Sequence, residues 1–281
     1  WSEDAEQTIQ SLKDNQFDCI VVDHYSLDIR WESVLKKHIK HVFVIDDLAD
    51  RRHDCSGLLD QNFGRFDSDY KPLLSEGTKT FIGPQYALLR DEFLECRFSS
   101  INRRKGFKLN QILVNLGGVD LPNYTYQILE ALNKISLGDN VKVVVVLGGA
   151  CPHEEIIKTQ IKTLTLNVEL FVGVSDMALL MASSDLAIGA AGSTTWERFA
   201  LGLPSVLVCV AENQRSALLA LQKEGYIKTL DEKNFSISLK DIFGSDDFEM
   251  DMLNISKQSL SLCDALGAQK IAEAIGGLCD S

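Results

Sequence analysis

The densest set of residues that could do chemistry lies in one stretch, residues 183 to 214. Gly192 closes a run of small residues, and Ser193 and Thr194 follow it at the start of a predicted helix. Glycine lets a backbone turn sharply and approach a ligand closely. Hydroxyl side chains together with the free N–H groups of a helix start suit a phosphate. The stretch therefore predicts a phosphate or diphosphate site, with ordinary helix capping as the alternative.

Polar residues on either side of that helix extend the predicted site. Glu197 lies one turn into the helix, where a carboxylate aimed at a phosphate would repel it. We therefore expect Glu197 to accept hydrogen bonds from sugar hydroxyls or to cap the helix. Asn213 and Gln214 follow the next predicted strand, and ligands collect at the carboxyl ends of strands in open α/β sheets. We count all three as substrate-binding candidates.

Glycine turns follow two other predicted strands in the same half of the chain. Gly117 and Gly118 come after a strand over residues 111–116 and precede Asp120, and Gly173 follows a strand over 168–172. A strand, a glycine turn and a helix can bring the backbone close to a phosphate, although a simple tight turn is the alternative. We expect these four residues to bind substrate.

The first hundred residues contain two further polar segments at predicted strand ends. Asp23 and Tyr25 follow the apolar run over 17–22, and Tyr25 could point its phenol at a ligand or pack at the domain edge. Asp47 belongs to a charged segment, residues 46–54, which is either a solvated loop with internal ion pairs or part of a site. We expect Asp47 to bind substrate.

Composition excludes several classes of function. A formal charge of −12 argues against non-specific nucleic-acid binding. The seven cysteines stand singly, without metal-ligand spacing, which is typical of reduced thiols in the cytoplasm and predicts neither a metal site nor another cofactor. No apolar run approaches the roughly 20 residues of a membrane span. We expect a monomeric cytoplasmic protein.

Strands alternate with helices along most of the chain, which predicts an α/β fold with parallel, doubly wound sheets. The length of 281 residues favours two domains. A basic, polar stretch over residues 99–108 is the best linker, so we predict an amino-terminal domain over 1–107 and a carboxy-terminal nucleotide-binding domain over 108–281.

The motifs together resemble those of the PseG family of UDP-2,4-diacetamido-2,4,6-trideoxy-β-L-altropyranose hydrolases, which act in pseudaminic acid biosynthesis. The resemblance is carried by VVDHY (21–25), IDDLADRRHDC (45–55), LLDQN (58–62), GPQYALLRDEF (83–93), NLGGVD (115–120) and AAGSTTWERFALGLPSVLVCVAENQ (190–214). The last two segments are shared more widely with GT-B glycosyltransferases, and the last resembles the corresponding stretch of the lipid II-forming N-acetylglucosaminyltransferase.

The resemblance implies a GT-B fold, in which two Rossmann-like domains face each other across a cleft. It also implies a metal-independent attack of water on the anomeric carbon of a UDP-sugar, with UDP and the free sugar as products. Tyr25 and Asp23 would then be auxiliary catalytic groups, and Asp47 and the glycine, hydroxyl and amide residues named above would bind the substrate.

One departure from the family pattern concerns the catalytic base. In the family, a histidine of a glycine-rich loop after the first strand has that role, and we place the corresponding loop upstream of Trp1. We therefore expect an incomplete first domain, an unidentified base and an inactive fragment. The alternatives are a GT-B glycosyltransferase with a UDP-sugar donor, or a catalytically silent module that binds a UDP-sugar.

Overall fold

The computed structural model describes residues 1–13, 16–138 and 140–280. In chain order the strands of these ranges are β1 (Cys19–Asp23), β2 (His41–Ile45), β3 (Gly57–Asp60), β4 (Lys79–Ile82), β5 (Gln111–Asn115), β6 (Lys142–Leu147), β7 (Asn167–Val172), β8 (Leu186–Ala190), β9 (Ser205–Val208) and β10 (Lys228–Thr229). The α-helices are α1 (Ser2–Leu12), α2 (Ile29–Leu35), α3 (Asp67–Tyr70), α4 (Asp91–Arg103), α5 (Tyr124–Leu132), α6 (Glu154–Ile161), α7 (Met177–Ser183), α8 (Thr194–Ala200), α9 (Arg215–Lys223), α10 (Phe235–Phe243), α11 (Phe248–Leu262) and α12 (Gly267–Cys279).

Residue contacts divide the chain into two compact units. The first contains Trp1–Leu88 and the segment from Leu266 onward, and the second contains Leu89–Ala265. The last helix, α12, therefore packs in the first unit, where its Ile271 joins Phe43 in one apolar cluster. This division differs from the boundary predicted between residues 107 and 108.

The predicted linker over residues 99–108 begins as helix, because α4 extends to Arg103. The Ser100 hydroxyl donates to the carbonyl of Leu201 over 2.7 Å. The Arg104 guanidinium donates to the carbonyls of Met181 (2.9 Å) and Ser184 (2.7 Å). Those carbonyls lie at the carboxyl ends of α7 and α8, where helices leave acceptors unpaired. The stretch is thus bound to the second unit by hydrogen bonds that the sequence pattern did not indicate.

The sheet of the first unit is parallel, with the strand order β1-β2-β3-β4. Strand β2 is buried on both faces, since Val42 packs in one apolar cluster and Phe43 in another. The continuous apolar run that ends in Asp23, residues 17–23, also predicts a strand buried on both faces, but that prediction is wrong. Phe17 and Val21 are each 50% exposed, because β1 is an edge strand among the described strands and packs mainly through Val22.

The sheet of the second unit is also parallel, with the order β10-β9-β8-β5-β6-β7. Its central strands are continuous apolar runs, as expected for strands covered on both faces. Ile112 and Val114 of β5 belong to one cluster, whereas Leu113 belongs to the other. The core of this unit therefore lies on both faces of the sheet and fixes the positions of the strand ends.

A buried pair of acids lies at the carboxyl edge of the first sheet. The Tyr70 hydroxyl lies 3.0 Å from Asp46 Oδ2 and 2.9 Å from Asp60 Oδ2. Arg51 forms an ion pair with Asp46 at 2.7 Å. One phenol proton cannot serve two carboxylates, so the cluster is best satisfied when one acid is protonated. Burial raises the pKa of Asp60 to about 6, despite the hydrogen bonds from Asn62 and Tyr70 that lower it.

This cluster predicts a pH-dependent stability. The pKa of Asp60 rises from 3.8 in the unfolded chain to about 6 in the fold, so the folded protein gains from binding this proton below pH 4 and loses that gain as the pH rises through 6. As the pH rises from 4.5 to 7.5, we expect the wild type to lose about 2 kcal/mol of unfolding free energy through the loss of this proton. Asp60→Asn has no such proton, so its unfolding free energy should rise by that amount relative to the wild type over the same range. Urea denaturation at both pH values measures this difference.

The matched control is Asp50→Asn, because the Asp50 side chain is 60% exposed in the neighbouring loop. We expect its difference from the wild type to stay constant over the same pH range. A constant difference for Asp60→Asn as well would show that Asp60 holds no proton in the folded protein.

Candidate functional site

The strand order of the second sheet reverses at β5. The chain runs from β5 to β6 and β7 on one side, and then to β8, β9 and β10 on the other. Strand β5 pairs with both β6 and β8, and Asn115 lies opposite Gly189. In open α/β sheets, ligands bind outside the carboxyl ends of the strands at such a reversal. The loops after β5 and β8 therefore flank the crevice where a ligand is expected.

A cavity of about 420 Å³ lies at this crevice. Seven of the residues predicted to bind substrate line it, namely Gly117, Gly118, Asp120, Gly192, Ser193, Thr194 and Gln214. Apolar side chains such as Leu116 and Val210 complete the wall. The structure thus brings together two motifs that lie about seventy residues apart in the sequence.

The loop after β5 is shaped by residues with left-handed backbone conformations. Gly117 has a φ of 88° and Asp120 a φ of 47°. The two carboxylate oxygens of Asp120 accept hydrogen bonds from the amides of Tyr124 and Thr125, both at 2.9 Å. Asp120 therefore accepts from the first two amides of helix α5, whose N-cap is Asn123, and a substrate would compete with these bonds for its oxygens.

The loop after β6 supports the one after β5. A Cβ atom at Gly148 would lie 2.0 Å from the carbonyl oxygen of Gly118, so the two backbones are in direct contact. At Gly149, the next residue, a Cβ would meet nothing within 4 Å. The glycine at 148 is therefore required by the position of the 117–118 turn.

The turn after β8 presents Ser193 differently from the sequence-based expectation. Ser193 is at the N-cap position of α8, but its backbone is helical and its side chain makes no capping bond. A capping side chain needs an extended backbone at that position to reach the amides of the first turn. Ser193 is exposed at the cavity wall, and its hydroxyl is not used to cap the helix. Because α8 has only seven residues, its dipole is short, and local donors matter more.

The lining of the cavity is almost free of charge. Asp120 is its only formally charged residue, and two backbone amides already donate hydrogen bonds to that carboxylate. A cation lies behind the wall, because Arg198 of α8 is 1% exposed and donates to Thr194 Oγ1 over 2.9 Å. The sequence motifs did not indicate Arg198 as a functional residue. Its spacing of four residues from Thr194, which places both on one helical face, is the signal that could have identified it.

Glu197 is half-buried and does not line the cavity. Burial raises the pKa of its carboxyl group, although the charges of Arg198 and Arg90 lower it. Arg90 itself pairs with Glu92 at 2.9 Å. Glu197 thus lies one turn into α8, as predicted, and its role towards a sugar hydroxyl stays a prediction.

Two other predicted residues lie outside the cavity lining. Asn213 is exposed in the short 3-10 helix Glu212–Gln214, and Gly173, with a φ of 62°, forms the turn after β7. The Gly173 amide donates to the carbonyl of Leu147 over 2.9 Å, a bond that extends the pairing of β7 with β6. Of the pair at 213–214, the structure therefore brings Gln214 alone to the cavity wall.

The predicted residues of the first unit form a separate group. Asp23 ends β1 and is exposed. Tyr25 is 61% exposed, and its hydroxyl donates to Asp47 Oδ2 over 3.1 Å. The other oxygen of Asp47, Oδ1, is buried and has no hydrogen-bond partner within the described residues. Burial raises the pKa of Asp47 in spite of the hydrogen bond from Tyr25.

The charged segment over residues 46–54 is largely satisfied by internal bonds. Arg51 pairs with Asp46 at 2.7 Å and with Asp50 at 3.1 Å, and its Nε donates to the carbonyl of Leu27. His53 is buried against Glu32, with 2.7 Å between Nδ1 and Oε1. The ion-paired alternative therefore accounts for most of this segment, and Asp47 stays a candidate ligand.

Among the residues that the structure describes, no three His, Cys, Asp or Glu side chains form a group that could hold a metal ion. No helix within the same residues has the length and apolar character needed to cross a membrane.

Comparison with known proteins matches most of the second unit to a known domain. Residues 112–242 match the Glycosyltransferase family 28 C-terminal domain, and this range covers the strands of the second sheet except for the first residue of β5. The chain is 27% identical over 225 residues to the UDP-2,4-diacetamido-2,4,6-trideoxy-beta-L-altropyranose hydrolase of Campylobacter jejuni. The matched region covers 80% of this chain and 78% of that protein. It is 24% identical to an uncharacterized protein of Methanocaldococcus jannaschii, over 94% of this chain and 53% of that protein.

Among solved structures, the fold is similar to that of MurG from Acinetobacter baumannii. The TM-score is 0.69 at 13% sequence identity, over 98% of this chain and 78% of that chain. Together these findings confirm the resemblance noted in the sequence and the α/β, GT-B-like fold. At 13% sequence identity, the structural similarity supports the assignment of the fold and nothing further.

The contact between the two glycine loops gives a direct test. We expect Gly148→Ala to lower the unfolding free energy by about 1–3 kcal/mol, because the methyl group must displace the backbone of residue 118. We expect Gly149→Ala to change it by less than about 0.5 kcal/mol, since its methyl group enters open space. Urea denaturation of both variants measures the difference. Equal stabilities would mean that the loops do not touch in solution.

Proposed function

We propose that this chain binds a UDP-sugar through the cavity of its second unit. The observation that carries the proposal is the cavity at the strand-order reversal, with the glycine turn at 117–118 on one side and Ser193 and Thr194 on the other. Hydroxyl and amide donors bind a diphosphate without the cost of burying further charges. The match to the family 28 domain over the same strands supports this assignment.

We further propose that the reaction is hydrolysis, with water attacking the anomeric carbon and UDP leaving with the bonding electron pair. The similarity to the Campylobacter hydrolase over 80% of the chain supports this choice. In such a reaction negative charge develops on the diphosphate, so donors fixed at the cavity wall stabilise the transition state. The 2,4-diacetamido-2,4,6-trideoxy sugar of that enzyme is the proposed substrate, which would place the protein in pseudaminic acid biosynthesis.

The remaining site residues are proposed by role. Tyr25 and Asp23 are auxiliary catalytic groups, and the contact of Tyr25 with Asp47 orients its phenol. Asn213 and Gln214 are neutral groups that both donate and accept, which suits an acetamido or hydroxyl group. Asp120 and Gly173 contribute by shaping the loops around the diphosphate.

A glycosyltransferase is the second candidate, because the chain matches a glycosyltransferase family 28 domain and has a fold similar to that of MurG. The two reactions differ in what attacks the sugar, water in one and an acceptor hydroxyl in the other. A protein that only binds UDP-sugar would catalyse neither.

Incubation of the protein with the UDP-sugar alone separates these functions. We expect UDP to accumulate without any acceptor, as measured by an enzyme-coupled UDP assay. UDP release that depends on an added acceptor would replace the hydrolase with a transferase. Tight binding of UDP without any release would indicate a binding module.

Glu197 provides a test of the nucleotide site itself. We expect Glu197→Gln to weaken UDP binding by about 1–3 kcal/mol, because a charged acceptor for the ribose hydroxyls becomes neutral. The control is Glu224→Gln, an exposed residue that follows α9 in the same unit. Calorimetric titration with UDP measures both variants. An affinity unchanged from the wild type would remove Glu197 from the site.

A further inference from the structure

Arg198 is a buried cation that contacts the cavity wall from behind. Its side chain projects from α8 and is 1% exposed. Nη2 donates to the carbonyl of Ala190 over 2.6 Å and to Thr194 Oγ1 over 2.9 Å. Both acceptors belong to residues that line the cavity. The guanidinium is therefore separated from the cavity by a single layer of atoms.

Close packing holds the guanidinium in place. A Cβ atom at Gly189 would lie 2.2 Å from Nη1 of Arg198 and 2.6 Å from the carbonyl oxygen of Asn115. The guanidinium thus packs against the carboxyl end of β8, beside the strand-order reversal. Its Nε is buried and has no hydrogen-bond partner in the described chain.

The charge of Arg198 also has no ion-pair partner among the described residues. No carboxylate of the residues that the structure describes lies within 4 Å of its nitrogens, and the nearest electrostatic influence is the neighbouring Glu197. Burial lowers the pKa of Arg198 to about 10, so the side chain stays charged at neutral pH. A buried cation without a counter-ion destabilises a fold. An anion bound in the cavity would supply that counter-ion.

The hydrogen bond to Thr194 also fixes the direction of its hydroxyl. Because Thr194 Oγ1 accepts from Arg198, its own proton is available to a different acceptor. Thr194 lines the cavity, so a ligand oxygen there can take that proton. With 2.9 Å from Nη2 to Oγ1 and about 2.7 Å for the second bond, that oxygen lies no more than about 5.6 Å from the guanidinium.

We propose that Arg198 is a positioning residue for the diphosphate, acting through Thr194 and through its buried charge. This inference rests on the proposed function, since it takes UDP as the ligand. It explains how a cavity whose lining contains no cation attracts a dianionic or trianionic group, because at this distance the charge of Arg198 acts through a medium of low dielectric constant and is poorly screened by salt.

The test compares ligands that differ in charge. Arg198→Met keeps most of the length and removes the charge, and Lys142→Met removes a cation at the opposite, amino-terminal end of β6. UDP, UMP and uridine are titrated into each protein by calorimetry or by competition. For Arg198→Met we expect about 10- to 100-fold weaker UDP binding, a smaller loss for UMP and uridine affinity within about twofold of the wild type. For Lys142→Met we expect no change with any ligand.

A merely structural role for Arg198 gives a different result. In that case the Met variant would lose affinity for UDP and uridine by the same factor and would unfold more easily without ligand. We expect instead a melting temperature at least equal to that of the wild type, because an apolar side chain replaces an unpaired buried charge. Equal losses for the two ligands, or unchanged UDP affinity, would overturn the inference. A wild-type protein that binds no UDP would overturn the proposed function as well.

Two further variants keep the test decisive if Arg198→Met does not fold. Arg198→Lys retains the charge, and we expect it to keep most of the preference for UDP over uridine. Thr194→Val removes the hydroxyl, and we expect it to weaken UDP binding while leaving uridine affinity unchanged. Loss of the preference in the lysine variant would overturn the role of the charge. Equal losses of UDP and uridine in the valine variant would overturn the role of the hydroxyl.

Discussion

The parallel pairing of β5 with β8 is the interaction on which the second unit depends. It places Asn115 opposite Gly189 and brings two distant turns to one edge of the sheet. The pairing leaves no room for a side chain at Gly189, where a methyl group would collide with Asn115 and Arg198. The apolar residues of β5 and β8 contribute to clusters on both faces of the sheet, so the position of this edge is set by the core. The cavity is a consequence of that position.

The arrangement separates the charge from the surface that touches the ligand. The cavity wall offers hydroxyl and backbone groups, whereas the guanidinium of Arg198 lies one layer deeper and is closely packed. A buried charge cannot reorient or form a direct ion pair with the ligand, so it favours anions without binding one product irreversibly. Under the proposed function UDP leaves after each turnover, and such a compromise between attraction and release is then useful.

The first unit uses its strand ends differently. Acidic residues end or follow three of its strands, and Tyr70, Arg51 and Asn62 contact the oxygens of Asp46 and Asp60. At the same edge, Tyr25 keeps its phenol at the surface and donates to the half-buried Asp47. Buried acids that share one phenol proton make the stability of this unit depend on pH.

Local patterns in the sequence were sufficient to predict the α/β class, the parallel sheets and the turns at 117–118 and 192–194, because apolar runs, glycine pairs and helix starts depend on neighbouring residues. The resemblance between motifs added the GT-B-like fold. Pairing between distant segments decided the rest. It placed α12 in the first unit, exposed Val21 at an edge and engaged Asp120 with the amides of α5. It also buried Arg198 behind the cavity, because the environment of a side chain is set by strand order and packing, which no local pattern encodes.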